Sequence, residues 1–295
     1  RYPMQQKRWP YILALTTADV LFGLVPILQK LTYPYGGSGP LTVFWSSIFA
    51  LVPLAIWARI QKVSLLVDRK TLGKLAILAI GVAGTALFLY SSYSYIPVGM
   101  ATTLHFVYPA LITIGLSLFF HQHFTKRKLL ALVLTLCGIV CMGSSVQLQT
   151  NLFGMVLAVI SGFFWAFYIV YMEKSGLSNI PTVILTFYTS LANIPALGLF
   201  CALSGSLQVY TRTWAWGVIF LVALLHRIVG FGLFQIGMRK ISSFSAGILS
   251  TVEPASALLF GILILHEQTH WLQLLGLGCI AASIILNLPS EKAAA

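Results

Sequence analysis

The sequence predicts an all-α integral membrane protein, with ten transmembrane helices in two inverted five-helix repeats. Three observations carry that reading. Of 295 residues, 58% are hydrophobic and only 8% are charged, where soluble globular chains carry about 25% charged residues. Lys and Arg fall almost entirely in alternate connections between apolar runs. The chain also matches itself, without a gap, at a shift of 145 residues.

A transmembrane helix needs roughly 20 apolar residues. The apolar runs place helices near 10–31, 40–60, 72–93, 97–120, 129–146, 152–173, 181–203, 213–236, 243–265 and 270–288. The run Tyr33-Pro34-Tyr35-Gly36-Gly37-Ser38-Gly39-Pro40 cannot continue a helix and separates the first two. Pro97 and Pro181 fall in first turns, where a missing N–H is harmless. Pro26, Pro53, Pro109, Pro195 and Pro254 fall inside spans, where prolines mark bends. The first apolar run is too long for a cleaved signal peptide and has no small-residue cleavage site, so none is expected.

The net charge is +12. Fifteen of the 18 Lys and Arg residues lie in the N-terminal segment, the 2–3, 4–5, 6–7 and 8–9 connections and the tail; only Lys30 and Arg212 lie on the other side. Short connections rich in Lys and Arg stay in the cytoplasm. Both termini are therefore expected in the cytoplasm, in a multi-pass protein of the inner (plasma) membrane. The basic charge is topological, so the expected partners are a lipid bilayer and a small-molecule substrate, not nucleic acid. A monomer is the expected unit.

Cys137, Cys141, Cys201 and Cys279 all sit in apolar stretches without a histidine at metal-ligand spacing. They read as buried thiols, and neither a metal nor a cofactor is expected. There is no nucleotide-binding loop, no His-Glu-x-x-His and no Gly-x-Ser-x-Gly, so an enzyme is not expected. A channel would show a filter sequence or a ring of carboxylates.

At the 145 shift Ile96 falls on Ile241, Ala101 on Ala246, Pro109-Ala110 on Pro254-Ala255, His121 on His266, and Leu129-Leu130 on Leu274-Leu275. Helices 3–5 thus map onto 8–10. A repeat of five spans inverts its second copy, a signature of secondary transporters with a site between the halves. The halves divide at 1–148 and 149–295. The carrying segments are Ser243-Phe244-Ser245-Ala246-Gly247-Ile248-Leu249-Ser250-Thr251-Val252-Glu253-Pro254, then Leu265-His266-Glu267, then Gly276. With them the chain resembles the drug/metabolite transporter superfamily, of the ten-helix EamA type. The first half matches more loosely, with Tyr108 where the second has Glu253 and Gln122 where it has Glu267. The resemblance implies secondary transport. Family members export amino acids and other metabolites, and some import amines or sugars.

Ionisable groups inside hydrocarbon are costly and point to function. Four places carry them: Asp19, His105, the pair His226-Arg227, and Glu253. Arg227 cannot shed its charge and needs an anion. A substrate carboxylate and a fixed bridge to Glu253 or Asp19 both remain open. The shift sets Val82 against Arg227, so this charge is not part of the repeated scaffold. Glu253 reads as an acceptor for a substrate amine or a proton, or as a support for the proline-bent helix. Asp19, His105 and Glu253 are the proton-coupling candidates; Asp19 could also be hydrated near the cytoplasmic mouth. Among the deep aromatics, Trp165, Tyr108 and Phe231 are the candidates to line a substrate site by cation–π contact. The leading expectation is ion-coupled export of amino acids or similar zwitterions; import of an organic cation is the alternative.

Overall fold

The computed structural model describes residues 8–96, 98–143, 151–265 and 270–287. Among the described residues there are helices and no strand. In order these are α1 (Trp9–Lys30), α2 (Gly39–Ile60), α3 (Arg69–Ser92), α4 (Val98–His105), α5 (Tyr108–Phe120), α6 (Lys126–Gly143), α7 (Leu152–Lys174), α8 (Thr182–Leu203), α9 (Thr213–Val222), a π-helical segment Ala223–Gly230, α10 (Phe231–Gly237), α11 (Ser243–Leu249), α12 (Val252–Leu265) and α13 (Trp271–Asn287). Short polar residues start several of them: Ser38, Asp68, Asn151 and Ser242 each accept a hydrogen bond from a first-turn N–H.

Eight helical stretches are long and apolar enough to cross a membrane, counting α4–α5, α9–α10 and α11–α12 as one each. The other two expected spans are shorter, with 18 residues in α6 and 17 in α13. Three basic residues occupy the first turn of α6, so its apolar length is less than its helical length. Pro97, Gln149, His266 and Glu267 lie outside the described residues, and Pro181 stands just before α8 rather than in its first turn.

Two spans expected to be continuous are broken, at Phe106-Val107 and at Ser250-Thr251. The cause is proline at the same repeat position. Pro109 and Pro254 lack an N–H, which frees the carbonyls of His105 and Ser250 four residues earlier. The breaks themselves obey the 145 shift to within a residue. So do the pieces around them: α4 and α11, α5 and α12, α6 and α13 correspond within a residue. The pairs α1–α2 and α7–α8 correspond at a shift of 143; one residue of the difference lies in the connections 61–68 and 204–212, and the other in the stretch from α9 through α10, which is one residue longer than α3.

The halves interlock. The first helix of the second half, α7, packs on α3, α4 and α5 of the first half. In the matching exchange α1 packs on α9, α10, α11 and α12. The final helices close the seam. A Cβ on Gly138 would meet the backbone oxygen of Gly276 at 2.9 Å, and one on Gly276 would meet that of Gly138 at 2.5 Å. Only glycine lets these backbones approach so closely, a known mode of helix association in lipid. The repeat-related crossing pairs Ser283 with Ala131, and there the Ser283 hydroxyl donates to the Ala131 carbonyl at 2.6 Å. Leu13, Val52, Leu118, Phe119, Leu199 and Ile285 are among many large apolar side chains exposed on the outer face. That face suits lipid, and the protein is a multi-pass membrane protein.

Two expectations need correction. Of the four cysteines only Cys201 is buried; Cys137 is exposed on α6, and Cys141 and Cys279 are half-buried. Helices α6 and α13 pack on one another at the edge of the bundle, so their other faces turn outward. Asp19 is not hydrated at a mouth: its side chain is fully buried, at 0% exposure.

Candidate functional site

A cavity of about 120 Å³ lies where the two halves meet. Three repeat-related pairs face it: Phe22 with Trp165, Val82 with Arg227, and Ala86 with Phe231. The cavity therefore straddles the local two-fold relation between the halves. In all three pairs the second half supplies the larger or charged member. The result is a site whose Arg227 and Glu253 both come from the second half, built on a symmetric scaffold.

The π-helical segment sets the charged wall. Across it the Phe231 N–H returns to the His226 carbonyl, five residues back. The corresponding stretch of α3 is an uninterrupted α-helix, so the wider turn belongs to this half alone. π-Helical turns occur preferentially at functional sites. Here it carries His226 and Arg227, both of which line the cavity. The Arg227 guanidinium carbon lies 5.4 Å from the centre of the Phe231 ring, and only 3% of the side chain is exposed. Its Nε has no hydrogen-bond partner. Among the described residues no carboxylate lies within 4.0 Å of it, so neither Glu253 nor Asp19 bridges it.

Glu253 opens α12 just after the second helix break and lines the same cavity. Aromatic rings line it in two groups. Phe22 packs edge-on to His226 at 5.0 Å and lies 5.4 Å from Phe231; Tyr90 meets Tyr93 edge-on at 5.4 Å. Trp165 stacks on Tyr168 at 5.0 Å, and Tyr168 is wholly buried beyond it. The site can thus offer a cation and an anion across a small, largely aromatic space.

Of the expected site residues, Arg227, Glu253, Trp165, Phe231 and His105 come together around the cavity. His105 is satisfied, its Nδ1 lying 2.9 Å from the Ser161 hydroxyl. Tyr108 and Asp19 do not line the cavity; they lie behind its wall, next to Glu253. Tyr90, Tyr93, Thr85 and Thr102 line it and were not singled out by the sequence. Tyr90 and Tyr93 stand near the end of α3, where aromatics read as interfacial belt. A signal for them would have been the 145 shift, which carries α3 onto the helix of Arg227.

The EamA-like transporter family profile matches residues 8–144 and 152–288. Over 154 residues the chain is 30% identical to the threonine/homoserine exporter RhtA of Escherichia coli (strain K12), covering 51% of this chain and 50% of that protein. The protein of the same name from Salmonella typhimurium (strain SL1344) is 27% identical over 138 residues, with 46% and 45% covered. The chain thus spans about half the length of the curated relatives it matches. A crystal structure of a protein 16% identical in sequence superposes with a TM-score of 0.78 over 94% of this chain and 95% of that one.

Proposed function

The chain belongs to the EamA-like transporter family, in the drug/metabolite transporter superfamily, and from that premise we propose that it is a secondary exporter of small amino acids or similar zwitterions. The observation that carries this is Arg227. A buried guanidinium without a fixed anionic partner costs several kcal/mol. It lines the same cavity as Glu253. A zwitterion answers both groups at once, its carboxylate on Arg227 and its ammonium on Glu253 and the aromatic wall. The names of the matched relatives, threonine/homoserine exporters, support an amino-acid substrate.

In this reading the halves are 1–148 and 149–295, related by inversion. The short helices α6 and α13 complete ten spans, and both termini lie in the cytoplasm of the inner membrane. Transport proceeds by alternating access with the proton gradient as its drive. A second reading, uptake of an organic cation, is favoured by the rings of Phe22, Tyr90, Tyr93, Trp165 and Phe231 together with Glu253; the cation of Arg227 in the same cavity opposes it.

The test compares an amino acid with its decarboxylated amine, on purified protein in detergent. Wild type is expected to prefer the acid by about 10- to 100-fold, the worth of a charge-assisted pair. Arg227→Gln loses that preference while remaining monodisperse, and Arg227→Lys recovers it only in part, since a fork becomes a point charge. Equal binding of acid and amine by wild type would displace the amino-acid reading in favour of the organic cation.

A further inference from the structure

Behind the Glu253 wall is a cluster of polar groups that the cavity does not expose. Helix α1 touches α12 here. The Ser256 hydroxyl lies 2.9 Å from the Glu253 carbonyl and 3.5 Å from that of Asp19, joining the two backbones. Both Asp19 carboxylate oxygens are buried without a hydrogen-bond partner. The Tyr108 and Ser250 hydroxyls, each on a side chain 1% exposed, are likewise unpartnered. Asp19 and Tyr108 lie within electrostatic reach of Glu253 and of each other, and both face the Ser250 hydroxyl without closing a hydrogen bond of good geometry to it. Acceptors and hydroxyls without partners therefore converge from α1, α5 and the break between α11 and α12.

The repeat makes the contrast sharper. Under the shifts of 145 and 143, Ser250 corresponds to His105, Glu253 to Tyr108, and Asp19 to Gly162, the neighbour of Ser161. Where α7 crosses the first half, this position holds a satisfied His105–Ser161 hydrogen bond. Where α1 crosses the second half, the equivalent position holds two carboxylates. Two adjacent carboxylates in a low-dielectric interior do not both ionise; the pair retains a proton and titrates as a unit. The other titratable or charged groups facing the pair are His226 and Arg227 from the π-helical segment and Tyr108 from α5. His105, Tyr90 and Tyr93 face the cavity from α4 and from α3 with its following turn. Helices α9 and α10, which also pack on α1, contribute none.

Resting on the amino-acid reading above, we infer that Asp19 and Glu253 hold one exchangeable proton, and that the substrate ammonium displaces it at Glu253. Glu253 is the half of the pair that lines the cavity; Asp19 has no other outlet. With the proton on Glu253, the pair carries one negative charge, on Asp19, and Glu253 offers the ammonium no anion. When the ammonium binds, that proton leaves to solvent, the ammonium offsets the second carboxylate charge, and the net charge of the site stays constant. Proton and substrate are thereby mutually exclusive, which is the requirement for exchanging one against the other across the membrane.

The experiment is a titration of detergent-purified wild type with L-threonine in weak buffer containing a pH indicator. About one proton is expected per threonine bound, and affinity falls about tenfold per pH unit on the acid side, as linkage of one proton demands. Asp19→Asn and Glu253→Gln abolish the release. Binding without proton release, with an affinity flat in pH, overturns the proposal. So does a release that survives in Asp19→Asn but vanishes in His105→Gln. Should threonine not bind at any pH, the amino-acid reading fails, and infrared spectroscopy decides on the proton. A buried protonated-carboxyl band at neutral pH that is absent from the Asp19→Asn/Glu253→Gln double variant supports the pair; no such band in wild type overturns it.

Discussion

Gly23 shows how little slack surrounds the site. A Cβ there would lie 2.2 Å from the Ser256 hydroxyl oxygen, 2.7 Å from the Glu253 carbonyl and 2.8 Å from the Ala257 nitrogen. Two of the three are backbone atoms and cannot turn aside. Gly23→Ala is expected to push α1 off α12 and cost about 1–3 kcal/mol, the usual range for overpacking. It should be read as a lower melting temperature in detergent, and adding Ser256→Ala should not restore it. Gly73 is the control, since nothing lies within 4 Å of its Cβ position. Gly73→Ala should be neutral or stabilise by up to about 1 kcal/mol. At this scale the sequence was informative about charge and poor about contact. Arg227, Glu253 and His105 stand out in apolar runs, and all three reach the cavity. That Asp19 sits behind Glu253 could not be read, because it depends on the approach of α1 to α12, and no spacing within one helix records that.

The helices themselves were legible from hydropathy, and their interruptions were not. Pro109 and Pro254 announced bends, yet Pro26, Pro53 and Pro195 sit inside unbroken helices. A freed carbonyl breaks a helix only where neighbours let the chain open. The π-helical turn had no local signal at all, since no proline or glycine pair opens it. Helix starts were easier, and α3 begins earlier than its apolar run because Asp68 caps it. The Asp68 carboxylate accepts from the Lys70 and Thr71 N–H groups at 3.1 Å. Hydrogen bonding from Thr71 holds its pKa below the ordinary carboxylate value. A group whose pKa is lowered by folding contributes stability above its unfolded pKa and loses it as pH falls through the folded one. Stability of the α3 start should therefore decline only in acid below the usual carboxylate range. Asp68→Ala should remove that dependence, as hydrogen exchange of the Lys70 and Thr71 amides would report.

At the scale of the whole molecule, the repeat was legible because both copies keep their register from the first break to the last helix. The interlocking of the halves was not, because a shift shows which segments correspond and says nothing of which ones touch. Orientation rests on the distribution of Lys and Arg. A cysteine at Ser38 or Ser206 should react with an impermeant thiol reagent from outside intact cells, and one at Ser64 should react only after permeabilisation. The reverse pattern would invert the direction of transport proposed here.

The seam between α6 and α13 sets an order of events during synthesis. The small-residue face of α6, from Ala131 through Thr135 to Gly138, finds its partner only in α13, which leaves the ribosome long after it. Until then that face meets lipid, with the Thr135 hydroxyl lacking the Ser283 oxygen that lies 2.6 Å away in the finished protein. The first half therefore cannot mature on its own schedule. A nascent chain stopped anywhere before Trp271 exposes an unfinished edge, the kind of surface by which quality-control machinery recognises a membrane protein for removal.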